Sequence, residues 1–408
     1  MLATDCLALP QAGVHGRFHA PSRQHCKPLT ARDFGRSRKK RELGGALPQI
    51  RPGLPARVLG VTIDSLVHET VQLLCASEGR PVVNRRKDGP RPAVVGACSF
   101  RQVGATDPDM LLRDTLAMID EMARQGQERG WPLDLAVLPE CSFQFMKDSV
   151  EEVAEALDGR IVTATAEKAR QYHTYATAPV QTRRDGRVYN SVVLLDRQGE
   201  VVGVYDKVFP VMMGDGSLEY GITPGRQFPV FELDFGRVGM QICWDLAFDD
   251  GWQALSDQDA ELVVFPTNPA VLTALRGRAW RHGYYIAAST VHPPAAIASP
   301  TGRLLGVTCE DREVLVVRID LDFRVLHSNC MWEWSEERAK KYEGRIKVEW
   351  DADGHEYLAT SSDPDLPVRR FLEIEGLLTG RQRNGRNIEL QMKARGGAPV
   401  MPVPVERE

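Results

Sequence analysis

An α/β sandwich is the fold class this chain predicts, and three observations carry it. Short apolar runs of strand length recur from Ala93 to Asp320. Stretches with helical spacing lie between several of them. Turn residues set some of the runs up as hairpins, which argues against an all-parallel doubly wound sheet.

The elements follow in chain order. AVVGACSF (93–100) reads as a buried strand. Between Pro108 and Gly130, Leu112, Leu116, Ile119 and Ala123 fall at i, i+4, i+7 and i+11, which is one face of a helix. DLAVLPE is a short apolar strand that Pro139 ends. SVVLLD (191–196) and VVGVYD (201–206) form a hairpin across Gln198-Gly199, and Arg184-Asp185-Gly186 turns the chain before them. VGMQIC (238–243), ELVVFP (261–266), YYIAAS (284–289) and VLVVRID (314–320) complete the strand set. Helices are predicted near 148–158, 250–258 and 273–283.

The two ends differ from this middle. Residues 1–57 are rich in Pro, Gly, Arg and His, with no apolar period longer than a turn, and read as a basic low-order tail. Val58 to Cys75 has the pattern of a short strand and helix, and Asn84 to Pro92 that of a linker. After residue 325 the chain turns polar. MWEWSEERAKKYEGRIK is a charged helix candidate, Pro367 to Leu378 another, and APVMPVPVERE an extended Pro-rich tail. Residues 326–408 read as an extension too polar to form a core alone.

At 408 residues the chain allows two or three domains of about 150 residues but does not require them. The hydrophobic share of 43% and charged share of 26% exclude a wholly disordered or collagen-like chain. The formal charge of −4 hides an asymmetry, because residues 1–58 carry 11 Lys/Arg against three acids. That leaves −12 on the remainder, so no nucleic-acid or membrane partner is expected of the main body. Arg38-Lys39-Lys40-Arg41 has the composition of a nuclear-import or nucleic-acid patch, but a solvated charge run or an overlong predicted start is the preferred reading.

Eight cysteines, at 6, 26, 75, 98, 141, 243, 309 and 330, show no C-x-x-C pair and are too sparse for a disulfide scaffold. There is no H-E-x-x-H and no G-x-x-x-x-G-K-[ST] loop. No secretory signal and no apolar stretch of about 18 residues is evident. The expectation is a soluble cytoplasmic protein.

Three strand ends finish on a reactive side chain: LAVLP at Glu140, VVGVYD at Lys207 and VGMQI at Cys243. Each alone is ordinary, since a lone Cys after an apolar strand is usually a small core residue and a Glu or Lys there is usually solvated. Together they suit nucleophilic catalysis. The thiol attacks a carbonyl or nitrile carbon, the carboxylate accepts its proton, and the ammonium stabilises the oxyanion. No histidine holds a comparable position. In such a site Lys207 is expected to lower the thiol pKa, and Glu140 to keep the lysine protonated.

Across roughly residues 92–325 the chain resembles the carbon–nitrogen hydrolase (nitrilase/amidase) superfamily. LAVLPE is similar to the motif that carries the general base, which falls on Glu140. YNSVVLLDRQGEVVGVYDKV is similar to the hairpin that delivers the catalytic lysine, Lys207. GRVGMQICWDLAF resembles the nucleophile motif, placing that role on Cys243. Glu219 with Thr223-Pro224-Gly225 is similar to the family's second glutamate and its turn. ELVVFPTNP, RAWRHGYYIAAS and SPTGRLLG follow in matching order.

The resemblance implies a four-layer α-β-β-α sandwich. It implies a thioester on Cys243, release of ammonia or an amine, and hydrolysis by a water that Glu140 activates, without metal or organic cofactor. Glu219 would orient Lys207, position substrate or form a supporting ion pair. Trp244 and Asn268, adjacent to motifs, are candidate pocket residues. The implied partners are a small amide-like substrate and water, and the implied assembly is a homodimer or larger. Two departures stand out. Asp249-Asp250 replaces a frequent Pro-Glu, and Cys243-Trp244-Asp245 replaces the Cys-Trp-Glu usual in true nitrilases, so an amide or carbamoyl amide is preferred over a nitrile. Alternatives are a nitrilase and a catalytically silent binding or scaffold protein with the same fold. The lipid-modifying acyltransferase reading is disfavoured for want of membrane spans, and a glutamine-amidotransferase half, possible in principle, finds no phosphate loop to accompany it. Cys141, beside the base, has no assigned role.

Overall fold

The apolar runs lack a polar side because both faces of their sheets are covered. The computed structural model describes residues 89–100, 107–143, 149–310, 312–328 and 336–397. The tail 1–57, the segment 58–75, most of the 84–92 linker and the final Pro-rich residues lie outside this set.

One six-stranded sheet holds β1 (Pro92–Cys98), β2 (Leu135–Ala136), β3 (Tyr175–Arg184), β4 (Arg187–Leu195), β5 (Val201–Asp206) and, beyond β1, β12 (Val314–Asp320). The other runs β11 (Leu304–Val307), β10 (Ala296–Ala298), β9 (Tyr285–Thr290), β8 (Leu262–Thr267), β7 (Arg237–Met240) and β6 (Val230–Glu232). In both sheets a parallel centre is flanked by antiparallel pairs. The predicted β4–β5 hairpin closes where the Asp196 carboxylate accepts the amides of Gln198 and Glu200, with Gly199 at φ 75°.

Alternation along single strands resolves the layers. Ala93, Val95 and Ala97 of β1, Val192 and Leu194 of β4, and Leu262 and Val264 of β8 meet in one core between the sheets. Their neighbours Val94, Cys98, Val193 and Leu195 instead face α1 (Pro108–Glu128) and α2 (Arg160–Tyr172). On the far side Val263, Phe265, Ile286 and Ala288 pack against α3 (Asp250–Asp257) and α4 (Leu272–His282). Three cores between four layers make the α-β-β-α sandwich.

The structure adds elements to this domain that the sequence reading lacks: α2, β3 and the short strands β6, β10 and β11. The helix predicted near 148–158 is only one turn, Val150–Val153, and α2 begins after Gly159. Its buried face is built from Ile161, Val162, Thr165, Ala166 and Ala169, small residues that give a faint period. Strand β3 contains Pro179, which demotes a run to an edge strand in sequence but here pairs in register with Val192.

The C-terminal extension is corrected more sharply. Strands β13 (Phe323–His327), β15 (Glu356–Ser361) and β14 (Ile346–Asp351) form an antiparallel sheet, and α5 (Val368–Glu375) packs on it. Leu326, Tyr342, Ala359, Leu366, Val368, Phe371 and Leu372 make a cluster of their own, with Phe371 edge-on to Tyr342 at 4.9 Å. Only part of each strand is buried, so few large apolar residues suffice and the segment looks polar in sequence. Among its described residues, the charged candidate is helical over Glu336–Lys341. A final helix, α6 (Gly380–Ala394), is capped by Thr379 and Gln382 and almost wholly exposed.

Candidate active site

The three strand ends converge. β2 continues as extended chain through Val137 and Leu138, buried, to Glu140. β5 ends one residue before Lys207, whose N–H donates to the Asn190 carbonyl at 2.8 Å. Gly225 closes the same corner by donating to the Lys207 carbonyl at 2.8 Å. A Cβ at Gly225 would stand 2.2 Å from the Asp206 carbonyl oxygen, so the Pro-Gly turn needs a residue without one. β7 ends at Met240, and Cys243 opens a short 3-10 turn, Cys243–Ala247, at φ 43°. That left-handed conformation is unfavourable for any residue with a side chain and points the thiol out of the strand line.

Lys207 is 1% exposed and its ammonium lies 3.0 Å from Glu140 Oε1 and 2.8 Å from Glu219 Oε2. Burial works against its charge, but Glu140 and Glu219 outweigh that and hold the lysine above its usual range. Glu219 therefore stands as an ion-pair partner of Lys207. Its own backbone is tied to the loop by exchange with Val211, N–H to carbonyl at 2.7 Å and N–H to carboxylate at 3.0 Å.

Sequence reasoning missed Asn190 as a site residue. Its side-chain amide, buried, donates to Glu140 Oε1 at 2.9 Å and to Glu219 Oε1 at 3.2 Å. One amide thus spaces both carboxylates around the ammonium. The only signal available was its place in the Tyr-Asn-Ser opening of the hairpin, which a turn residue fills equally well.

The Cys243 thiol lies against the Glu140 carboxylate and the backbone N–H of Asn268. Asn268 is thereby placed beside Cys243, through its backbone. Trp244, the other pocket candidate, has its side chain turned half out to solvent at 46% exposure.

Lys207 lowers the thiol pKa, as expected, but does not decide the net shift. Burial pushes Cys243 up and the Glu140 charge adds to this, while Lys207 and the Asn268 N–H offset only part, leaving it at about 12. The lysine's charge is already spent on two carboxylates. The Cys243 thiol is accordingly neutral at rest. We expect no thiolate absorbance near 240 nm attributable to Cys243 between pH 6 and 9, measured as wild type minus Cys243→Ala. A thiolate band with a midpoint below pH 8 would contradict this.

Cys141, at φ 54°, receives a hydrogen bond from Gln181 Nε2 at 3.8 Å. Burial and then the Glu140 charge push its thiol well up, as they do at Cys243. Asp249, one of the two departures, ties the turn to α4 through Arg281 at 3.0 Å and Arg278. Among the described residues no group of three or more His, Cys, Asp or Glu is placed to hold a metal ion. None of the described helices is long and apolar enough to cross a membrane.

Known proteins share this arrangement of segments. Nitrilase homolog 2 of Dictyostelium discoideum is 25% identical over 237 residues, 52% of this chain and 70% of its own length. Deaminated glutathione amidase of Yersinia enterocolitica is 30% identical over 179 residues, 41% of this chain and 60% of its own. The crystal structure of a carbon–nitrogen hydrolase from Helicobacter pylori G27 superposes with a TM-score of 0.50 at 17% identity, covering 57% of this chain and 90% of that one, and so shares the fold. The profile of the carbon–nitrogen hydrolase family matches residues 92–324, the two six-stranded sheets with the strand ends that carry Glu140, Lys207 and Cys243. A match over more than half of the chain places it in the carbon–nitrogen hydrolase family.

Proposed function

We propose that this carbon–nitrogen hydrolase cleaves an amide or carbamoyl amide through a thioester on Cys243. The observation that carries the reading is the position of Glu140, 3.0 Å from the buried Lys207 ammonium and beside the Cys243 thiol. As sulfur attacks the carbonyl carbon, the thiol proton passes to Glu140 and the carbonyl π electrons become an oxyanion. Lys207 is placed to stabilise that charge, which exists only along the reaction path. Collapse expels the nitrogen, and Glu140 returns the proton to it, so ammonia or an amine leaves. A water then attacks the thioester with Glu140 taking its proton, the C–S bond breaks, and the acid and the thiol are regenerated. Because Glu140 handles both protons, a thiol that starts neutral is no obstacle.

A silent scaffold has no need to keep two buried carboxylates and an ammonium in register with a thiol, since such a group costs stability without function. The Asp at 245 and the likeness to an amidase support amide over nitrile. A small-molecule substrate, a homodimer or larger assembly, and a cytoplasmic setting complete the reading. They are supported by the family resemblance and by the exposed Phe248 and Trp280, which suit burial against a second copy.

The test is intact-mass detection of an adduct on Cys243, with ammonia release, across matched amides, carbamoyl amines and nitriles. Amides or carbamoyl amines are expected to give both signals. Adduct from nitriles alone would move the assignment to a nitrilase, and neither signal from any class would sink the catalytic reading.

A further inference from the structure

Asp245 is wholly buried two residues past the nucleophile, and its carboxylate has more to do than a turn requires. Oδ2 accepts the Ile242 N–H at 2.8 Å and the Tyr205 hydroxyl at 2.7 Å, and Oδ1 accepts the Phe209 N–H at 2.9 Å. Ile242 precedes Cys243. Tyr205 and Phe209 stand two residues before and two after Lys207. One carboxylate therefore grips the nucleophile turn on one side and brackets the catalytic lysine on the other.

The grip crosses the sandwich. Tyr205 belongs to β5 of the first sheet, whereas the Cys243 turn follows β7 of the second. The backbone end is anchored separately, because the Asp245 carbonyl accepts the indole N–H of Trp252 at 3.1 Å and Trp252 is fully buried in α3. The chain of contacts runs from the outer helix layer, through the turn, to the corner that presents Lys207.

We infer that Asp245 is a positioning residue that sets the distance between the Cys243 thiol and the Lys207–Glu140 pair by stapling the two sheets at the site. The chemistry of the donors explains the residue type. Two of the three are backbone amides, which can only donate, and they meet different oxygens of the carboxylate. An asparagine would turn its NH2 toward one of them and leave a buried donor facing a donor. Asparagine is isosteric, so Asp245→Asn removes the staple with little change in volume. The inference rests on Cys243 acting with Glu140 and Lys207.

The experiment follows alkylation of Cys243 by iodoacetamide at pH 7.5, read by intact mass with peptide mapping, in the full chain. Wild type, Asp245→Asn and Tyr205→Phe are compared, each well below its melting temperature. Tyr205→Phe removes one arm and keeps both amide bonds, so it guards against an Asp245→Asn protein that does not fold. We expect labelling to slow at least 10-fold in Asp245→Asn and by a smaller factor, about 2- to 5-fold, in Tyr205→Phe, because the thiol is no longer held beside Glu140. A merely structural role predicts the opposite sign, a lower melting temperature with labelling as fast or faster through a loosened site. Wild-type labelling rates in both variants would overturn the inference while leaving the catalytic reading intact. Wild-type protein labelled at other cysteines and never at Cys243 would overturn both.

Discussion

Replacing Cys243 by glycine is expected to end turnover while leaving the protein at least as stable as the Cys243→Ala variant. Loss of the nucleophile removes the covalent route altogether, and a fall in kcat of about 10⁴-fold or more is the ordinary consequence. Stability should behave unusually. At φ 43° a residue with a Cβ is strained by roughly 1–2 kcal/mol, and alanine keeps that strain while losing the thiol's contacts. Glycine loses the same contacts but relaxes the backbone, which offsets its greater unfolded-state entropy. Glycine below alanine is the normal order in regular structure, so the reversal is diagnostic. Urea denaturation of the two variants checks it. Residual turnover above about a thousandth of wild type would remove Cys243 as nucleophile, and an alanine variant clearly more stable than the glycine one would remove the strain.

The contrast between what the sequence discloses and what it hides follows from where each signal resides. Runs such as Val192–Leu195 and Leu262–Phe265 are apolar at every position because one sheet face meets the other sheet and the second face meets helices. That makes them visible without alignment. Glu140, Lys207 and Cys243 are visible for a related reason, since each interrupts an apolar run at its end. Asn190 and Asp245 have no such contrast. Their roles are made by partners 50 and 40 positions away, Glu140 and Tyr205, and nothing local distinguishes them from a turn residue and a charged turn neighbour. The sign of the thiol shift is hidden in the same way. It depends first on burial and then on the Glu140 charge, and both are properties of the assembled site. Strands β14 and β15 are hidden by partial burial, and α2 by its small residues.

Removing the ammonium gives the second large effect, on stability as well as rate. In Lys207→Met the side-chain length is retained, but Glu140 and Glu219, both accepting from Asn190, face one another across a buried site without the cation that lies within 3.0 Å of each. Breaking a buried pair from one side typically costs about 3–5 kcal/mol, because the orphaned charge cannot return to water. Turnover should fall by about 10²- to 10³-fold or more through loss of the oxyanion partner alone. The stability loss has a sign with pH. Two crowded carboxylates in the folded variant take up a proton more readily than in the unfolded chain, so folding is favoured as pH falls and the penalty grows toward neutrality. Urea midpoints at pH 5 and pH 8 should therefore diverge further for Lys207→Met than for wild type. Adding Glu219→Gln removes one of the two charges and should return part of the lost stability without returning activity, a non-additivity expected of groups in one network. A double variant less stable than Lys207→Met would mean that Glu219 stabilises the fold through its bonds to Val211 rather than through the charge it presents to the lysine.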